Sequence, residues 1–211
     1  MGLLKLLTTD PLAFALIAIP LLFSVILHEV AHGWVAYKMG DPTAKWSGRL
    51  TLNPLHHLDP IGTLMLFLAG FGWAKPVPVN FNNLTDKRKG LIYVSSAGVL
   101  ANILLAFSAL LVLRLSSVSP SGTTAILAYK VCTYVAYINI TLAALNLIPI
   151  PPLDGSKMLM GILWQKTPHF LTRLEPYGFF IIIGLLFLGI LDPLIGLFGW
   201  IIRTLIGVLI P

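Results

Sequence analysis

Charge is the first thing this sequence has little of. Of its 211 residues, 10% are Asp, Glu, Lys or Arg, while 57% are hydrophobic and mean hydropathy is +0.89. A soluble domain carries about 25% charged residues. The chain therefore lacks the polar surface to coat a globule in water, and the expected class is an integral membrane protein. Acids are scarcer still, eight in all, so an acid beside an apolar run is informative. The single cysteine, Cys132, excludes an internal disulfide and a cysteine metal cluster; it lies in an apolar run and reads as packing. Repeated halves and low-complexity tails are also missing. The net charge of +6 does not point to nucleic acid, because the basic residues cluster beside apolar segments instead of interleaving with aromatics. Orientation in a bilayer and contact with anionic lipid account for them. The apolar N-terminal stretch after Lys5 is not read as a signal peptide, since no small-residue cleavage site precedes the histidines that follow.

What is present is a series of long apolar runs. Residues 11–39 read as a first helix, with Asp10 as its cap, Pro11 in its first turn, Pro20 inside it and Gly40-Asp41-Pro42 at its end. Residues 91–115 and 124–148 make second and third spans, 177–191 a fourth apolar segment, and 194–210 a further one left open between spanning and interfacial. The expected fold is all-α and polytopic, one membrane-embedded domain over 1–211 with about four to six transmembrane helices. Between the first two spans, residues 41–90 are rich in Pro, Gly and Asn. The apolar stretch 61–71 there is shorter than the about 20 residues a span needs. "RLTL" (49–52) and "KPVPV" (75–79) have strand character, so this region is expected to be re-entrant with a small β-hairpin. Alternatively, the edge at Lys75, Val77 and Val79 stays free to take an added strand. Basic residues at Lys38, Lys45, Arg49, Lys75 and 87–89, and again at Lys157, Lys166 and Arg173, with none in 115–123, put these loops in the cytoplasm and the N-terminus outside.

The first span carries "ILHEVAHG" (26–33). His28 and His32, four residues apart, share one helix face and can reach one tetrahedral zinc. Glu29 beside them can handle the proton of an activated water. Ten residues separate His28 from Lys38, about 15 Å of helix, so the group lies inside the hydrocarbon layer. An ionisable group there costs at least about 2.5 kcal/mol, which argues against chance histidines. A catalytic zinc needs a third protein ligand. Asp154, in "NLIPIPPLDG" (146–155) just past the third span, is the candidate; its alternative is a helix cap. His56 and His57 read either as a solvated loop or as residues near the metal, and His169 as an ordinary residue near a helix start.

"HEVAH" in a first span with "NLIPIPPLDG" after a later one resembles the site-2 protease family, which are intramembrane zinc metalloproteases. "SAGVLAN" (96–102) is similar to the family's middle motif, and "LNPLHHLDPIG" and "GWAKPVPVN" to its short bacterial subgroup, without a PDZ insertion. The resemblance implies one Zn2+ held by His28, His32 and Asp154, with Glu29 as general base, and Gly98 and Asn102 as the middle-motif pair. Asn102 and Asn146 are the candidate oxyanion donors, or else interhelical hydrogen-bonding glue. The expected function is hydrolysis of peptide bonds in single-span membrane proteins, at a site toward the cytoplasmic side of the cell membrane. Two other readings of the same residues are a metal transporter and an inactive scaffold. The single cluster and the intact Glu29 weigh against both.

Overall fold

The computed structural model describes residues 3–69, 72, 74–116, 122–164 and 169–210. Among these, ten α-helices follow in chain order: α1 (Leu3–Thr9), α2 (Pro11–Lys38), α3 (Thr43–Trp46), α4 (Pro60–Ala69), α5 (Lys87–Leu115), α6 (Thr123–Leu147), α7 (Asp154–Ile162), α8 (His169–Leu174), α9 (Gly178–Phe187) and α10 (Leu191–Leu209). The helices α2, α5, α6 and α10 are long and apolar enough to cross a membrane. The protein is thus an all-α, multi-pass membrane protein.

Local signals set the helix ends. The Asp10 carboxylate accepts from the Ala13 amide at 2.9 Å and caps α2. Gly40, at φ +103°, lets the chain turn back so that the amides of Gly40 and Asp41 reach the Tyr37 and Ala36 carbonyls. The structure decides which apolar segments of the C-terminal third are long enough to span. The apolar segment 177–191 is not a span: α9 has 10 residues, about 15 Å of helix, half the hydrocarbon thickness. Gly189, at φ +67°, stops it, with the Gly189 and Ile190 amides donating to the Leu186 and Leu185 carbonyls. Asp192-Pro193 lies in the first turn of α10, where proline costs no hydrogen bond. The tail 194–210 is therefore long enough to span.

The helix α5 is the hub, packed against α2, α6 and α7, while α10 packs on α6. The interior where α5, α6 and α10 meet is Val99, Ala106, Ile140, Ala143, Ala144, Ile202 and Ile206. Alanines at the crossing let backbones approach closely, the packing term that replaces hydrophobic drive inside lipid. Large apolar side chains such as Leu100, Leu104, Val112 and Leu205 face outward, where acyl chains cover them. Ser24, His28, His32, Asn102 and Asn139 are buried within the bundle, the placement that polar groups at membrane depth require.

Among the described residues there is no β-strand between α2 and α5, so the hairpin expected there is not seen. An isolated bridge joins Leu58 and Ala74. Residues 75–80 form a strap without helix or strand, hydrogen-bonded to 49–52 through the Arg49 guanidinium, which donates to the Lys75 and Pro76 carbonyls at 2.6 and 3.2 Å. Pro76 and Pro78 supply no donors for a ladder. The helix α4 is too short to span, as expected of 61–71, and residues 70–71 lie outside the described residues, as does the uncharged link 117–121.

Candidate metal centre and catalytic cleft

Helical periodicity brings His28 and His32 onto the face of α2 that meets α5. Each ring is then oriented from behind. His28 Nδ1 lies 2.6 Å from Asn102 Oδ1, and His32 Nδ1 lies 2.6 Å from the Val94 carbonyl. A carbonyl oxygen can only accept, so in the neutral rings each Nδ1 carries the proton and donates it. Both Nε2 atoms are left with lone pairs. They converge, 3.0 Å apart, and Asp154 Oδ2 stands 3.1 Å from each. No hydrogen bond satisfies that buried oxygen.

Three lone-pair atoms at this separation repel unless a cation lies among them. A tetrahedral zinc with bonds of about 2.0–2.1 Å requires ligand atoms about 3.3 Å apart, and the observed triangle matches to within a few tenths of an ångström. His28, His32 and Asp154 form a potential metal group by proximity alone. Space for it comes from Gly98 on α5. A Cβ there would lie 2.5 Å from His28 Cε1 and His32 Nε2, and 2.6 Å from His28 Nε2. The residues present therefore fit the zinc that the family resemblance implies.

Asp154 arrives through a turn after α6. The Ile150 and Leu153 amides donate to the Ile148 and Ile150 carbonyls, and Gly155 lies so close to the Leu147 and Ile148 carbonyls that any Cβ would collide with them. Glycine is needed there for close approach, not for an unusual φ. The cap reading is not observed: Asp154 is the first residue of α7, and Leu153 precedes it with no side-chain cap.

Glu29 faces a cleft of about 360 Å³ that also reaches His28, His32, Val77, Asn146 and Asp154. Its Oε2 accepts from the Val77 amide at 2.8 Å. That bond belongs to the strap, whose position is set at both ends. Arg49 holds the carbonyls of Lys75 and Pro76, and the Lys75 amide donates to the His57 carbonyl at 2.8 Å. At the other end the buried Asp41 carboxylate accepts from the Asn80 amide at 2.7 Å and from Asn83 Nδ2 at 2.9 Å. Burial of Asp41 opposes its ionisation, but the hydrogen bonds from Thr43, Asn83 and the Asn80 amide outweigh it and hold the carboxyl below its usual range. Two of the three amides expected to form a free edge, Lys75 and Val77, are thus already engaged.

The asparagines separate into different roles. Asn146 lines the cleft, donating one amide hydrogen to the Leu142 carbonyl at 3.0 Å and keeping the other. Asn102 is fully buried, and its amide group is turned away from the cleft. Its Oδ1 serves His28, and its Nδ2 donates to Asn139 Oδ1 at 2.7 Å and, weakly, to the Ser24 carbonyl at 3.5 Å. The expectation of Asn102 as an oxyanion donor is corrected on that ground: it orients a ring. His57 is buried, with Nε2 donating to the Thr51 carbonyl at 2.8 Å, and His56 is exposed; neither lines the cleft. The side chain of His169 lies outside the described residues. Sequence reasoning missed Ser24 and Asn139, and it read the Val77 amide as a free edge donor where it instead braces Glu29. Asn139 had a usable signal, an amide in the middle of an apolar span; the proline alternation marked the Val77 amide as available, but nothing in the sequence pairs it with Glu29.

Comparison with known proteins gives a consistent match. The model of Peptidase family M50 matches residues 117–189. The Bacillus subtilis (strain 168) protein "Putative zinc metalloprotease YwhC" is 39% identical over 172 residues, covering 80% of this chain and 78% of its own length. Proteins of the same designation named Rip2 are similar too. That of Mycolicibacterium smegmatis is 32% identical, covering 82% of this chain and 67% of its own length. That of Mycobacterium tuberculosis (strain H37Rv) is 33% identical, covering 92% and 74%. No solved structure matches.

Proposed function

The chain belongs to peptidase family M50 and is an intramembrane zinc metalloprotease; we propose that His28, His32 and Asp154 hold its zinc and that Glu29 is its general base. The observation that carries the assignment is the convergence of three lone-pair atoms, 3.0–3.1 Å apart, in a cleft shared with Glu29.

A bound zinc supplies Lewis acidity, which makes water nucleophilic near neutral pH and polarises the scissile carbonyl. The protein supplies the rest. Asn102 and the Val94 carbonyl hold the two imidazoles with Nε2 turned inward. Glu29, braced by the Val77 amide, takes the proton of the attacking water and returns it to the leaving amine nitrogen. The spare amide hydrogen of Asn146 is placed to donate to the oxyanion. A helical substrate hides its carbonyls in its own hydrogen bonds, so a segment must unwind to enter the cleft.

The substrate is a membrane protein, and we assign the class as single-span proteins cut in the course of regulated intramembrane proteolysis. A cleft opening between helices, with no soluble binding module among the described residues, supports that class. The whole of 1–211 then acts as one metalloprotease domain. The site faces the cytoplasm of the cell membrane, because the basic residues at the C-terminal end of α2 and the N-terminal end of α5 lie at the cleft end of the bundle. The test is E29Q: zinc content stays at one per chain, while cleavage of a membrane-tethered model substrate falls to background. Cleavage retained in E29Q refutes the assignment of Glu29.

A further inference from the structure

Behind the metal ligands, on the side away from the cleft, lies a chain of buried amides that the reaction does not use. Asn139, on α6, is fully buried. Its Nδ2 donates to the Val135 carbonyl at 2.8 Å and to Ser24 Oγ at 2.7 Å. Its Oδ1 accepts from Asn102 Nδ2 at 2.7 Å, and Asn102 Oδ1 accepts from His28 Nδ1.

These bonds have a direction. A primary amide has one donating and one accepting end, and the two exchange when it rotates by half a turn. The Val135 carbonyl can only accept, so it compels Asn139 to present nitrogen to it. Asn139 must then present oxygen to Asn102, and Asn102 must present oxygen to His28. His28 is left with its proton on Nδ1 and its lone pair on Nε2, facing Asp154. Without Asn139, Asn102 keeps only the 3.5 Å contact with the Ser24 carbonyl to hold its orientation. A rotated Asn102 would donate to Nδ1, move the imidazole proton to Nε2 and aim it at Asp154 Oδ2. That proton occupies the position of the metal.

We propose that Asn139 is a positioning residue of the metal site: through Asn102 it selects the imidazole tautomer of His28 that can bind a cation. The inference rests on His28 being a ligand, and a separate arm of the experiment tests that premise. Outer partners of metal-binding histidines typically contribute 10- to 100-fold in affinity, which sets the expected effect.

The experiment measures zinc affinity of the purified full chain in detergent, by competition with a chromophoric chelator. In N139L, affinity falls 10- to 100-fold. In N102D, a carboxylate accepts from His28 Nδ1 whichever way it is turned, so adding N139L to N102D costs less than twofold. A loss caused by general disorder of α6 would appear in both backgrounds. ¹⁵N spectra of the histidine rings in the metal-free protein give a second readout: the His28 proton is on Nδ1 in the wild type and shifts toward Nε2 in N139L. Should N139L not accumulate, N139T replaces it, its hydroxyl bonding back to the Val135 carbonyl and falling short of Asn102. Unchanged affinity in the Asn139 variants, or an equal loss in the wild-type and N102D backgrounds, overturns the proposal. Unchanged affinity in H28A instead overturns the ligand assignment beneath it.

Discussion

Replacing Gly98 by alanine adds one methyl group at the place where the two imidazoles of the site converge. The new carbon would sit 2.5–2.6 Å from His28 Cε1, His28 Nε2 and His32 Nε2. Ordinary contact between such atoms begins near 3.5 Å, so something must retreat by about 1 Å. The rings cannot do so freely, because each is pinned from behind by a 2.6 Å hydrogen bond, to Asn102 or to the Val94 carbonyl. Metal–ligand distances tolerate only about 0.2 Å. If α5 moves instead, it loses packing against α2. Overpacking of this kind costs about 1–3 kcal/mol. Where that strain opposes the metal-bound arrangement, zinc affinity falls between about fivefold and about 100-fold. Chelator competition on purified protein measures this directly, with thermal unfolding in the presence and absence of zinc to separate loss of metal from loss of fold. Cleavage of a tethered substrate falls in parallel when zinc is limiting. A G98A protein with unchanged zinc affinity and wild-type cleavage would refute the argument that this glycine keeps the metal position clear.

V77P removes the amide that braces Glu29, a hydrogen bond to a charged group worth about 1.5–3 kcal/mol; kcat/KM falls about 10- to 100-fold while zinc stays bound, and V77A, which keeps the amide, loses far less. Equal cleavage by V77P and wild type would dismiss that brace. For Asp41 the carboxyl is held below its usual value by its hydrogen bonds, so the stability it contributes is complete above about pH 4, the ordinary carboxylate range, and is lost as pH falls through the lowered value. D41N therefore lowers Tm at neutral pH, and its Tm converges on that of the wild type in strong acid. A constant difference at every pH would show that the charge of Asp41 is not what holds the strap. E29Q and the Asn139 series, described above, test the general base and the orientation of His28.

Much of the site could be read from the chain because it is local. His28, Glu29 and His32 are related by the period of one helix, and that period is the same in every α-helix. Asp154 was accessible for a different reason: acids are rare in this sequence, and the prolines before it interrupt the preceding helix close to the expected depth. Long apolar runs likewise mark α2, α5 and α6. Hydropathy alone did not separate α9 from α10, since both are apolar. A left-handed glycine between them decides the matter, and an isolated Gly189 among apolar residues is a weak signal.

What the amino-acid order determined by itself was thus the chemistry available and the helices that carry it: two imidazoles and a carboxylate on one face, in a chain with too little charge to leave the bilayer. Only the tertiary structure decided how those groups are used. The hydrogen bond between Glu29 and Val77 joins residues 48 apart, and that between Ser24 and Asn139 residues 115 apart. An amide's direction depends on every partner at both its ends, and those partners come from three different helices. Spacing along a chain sets which side chains share a face, but the pairing of buried donors with acceptors is settled only when the faces meet.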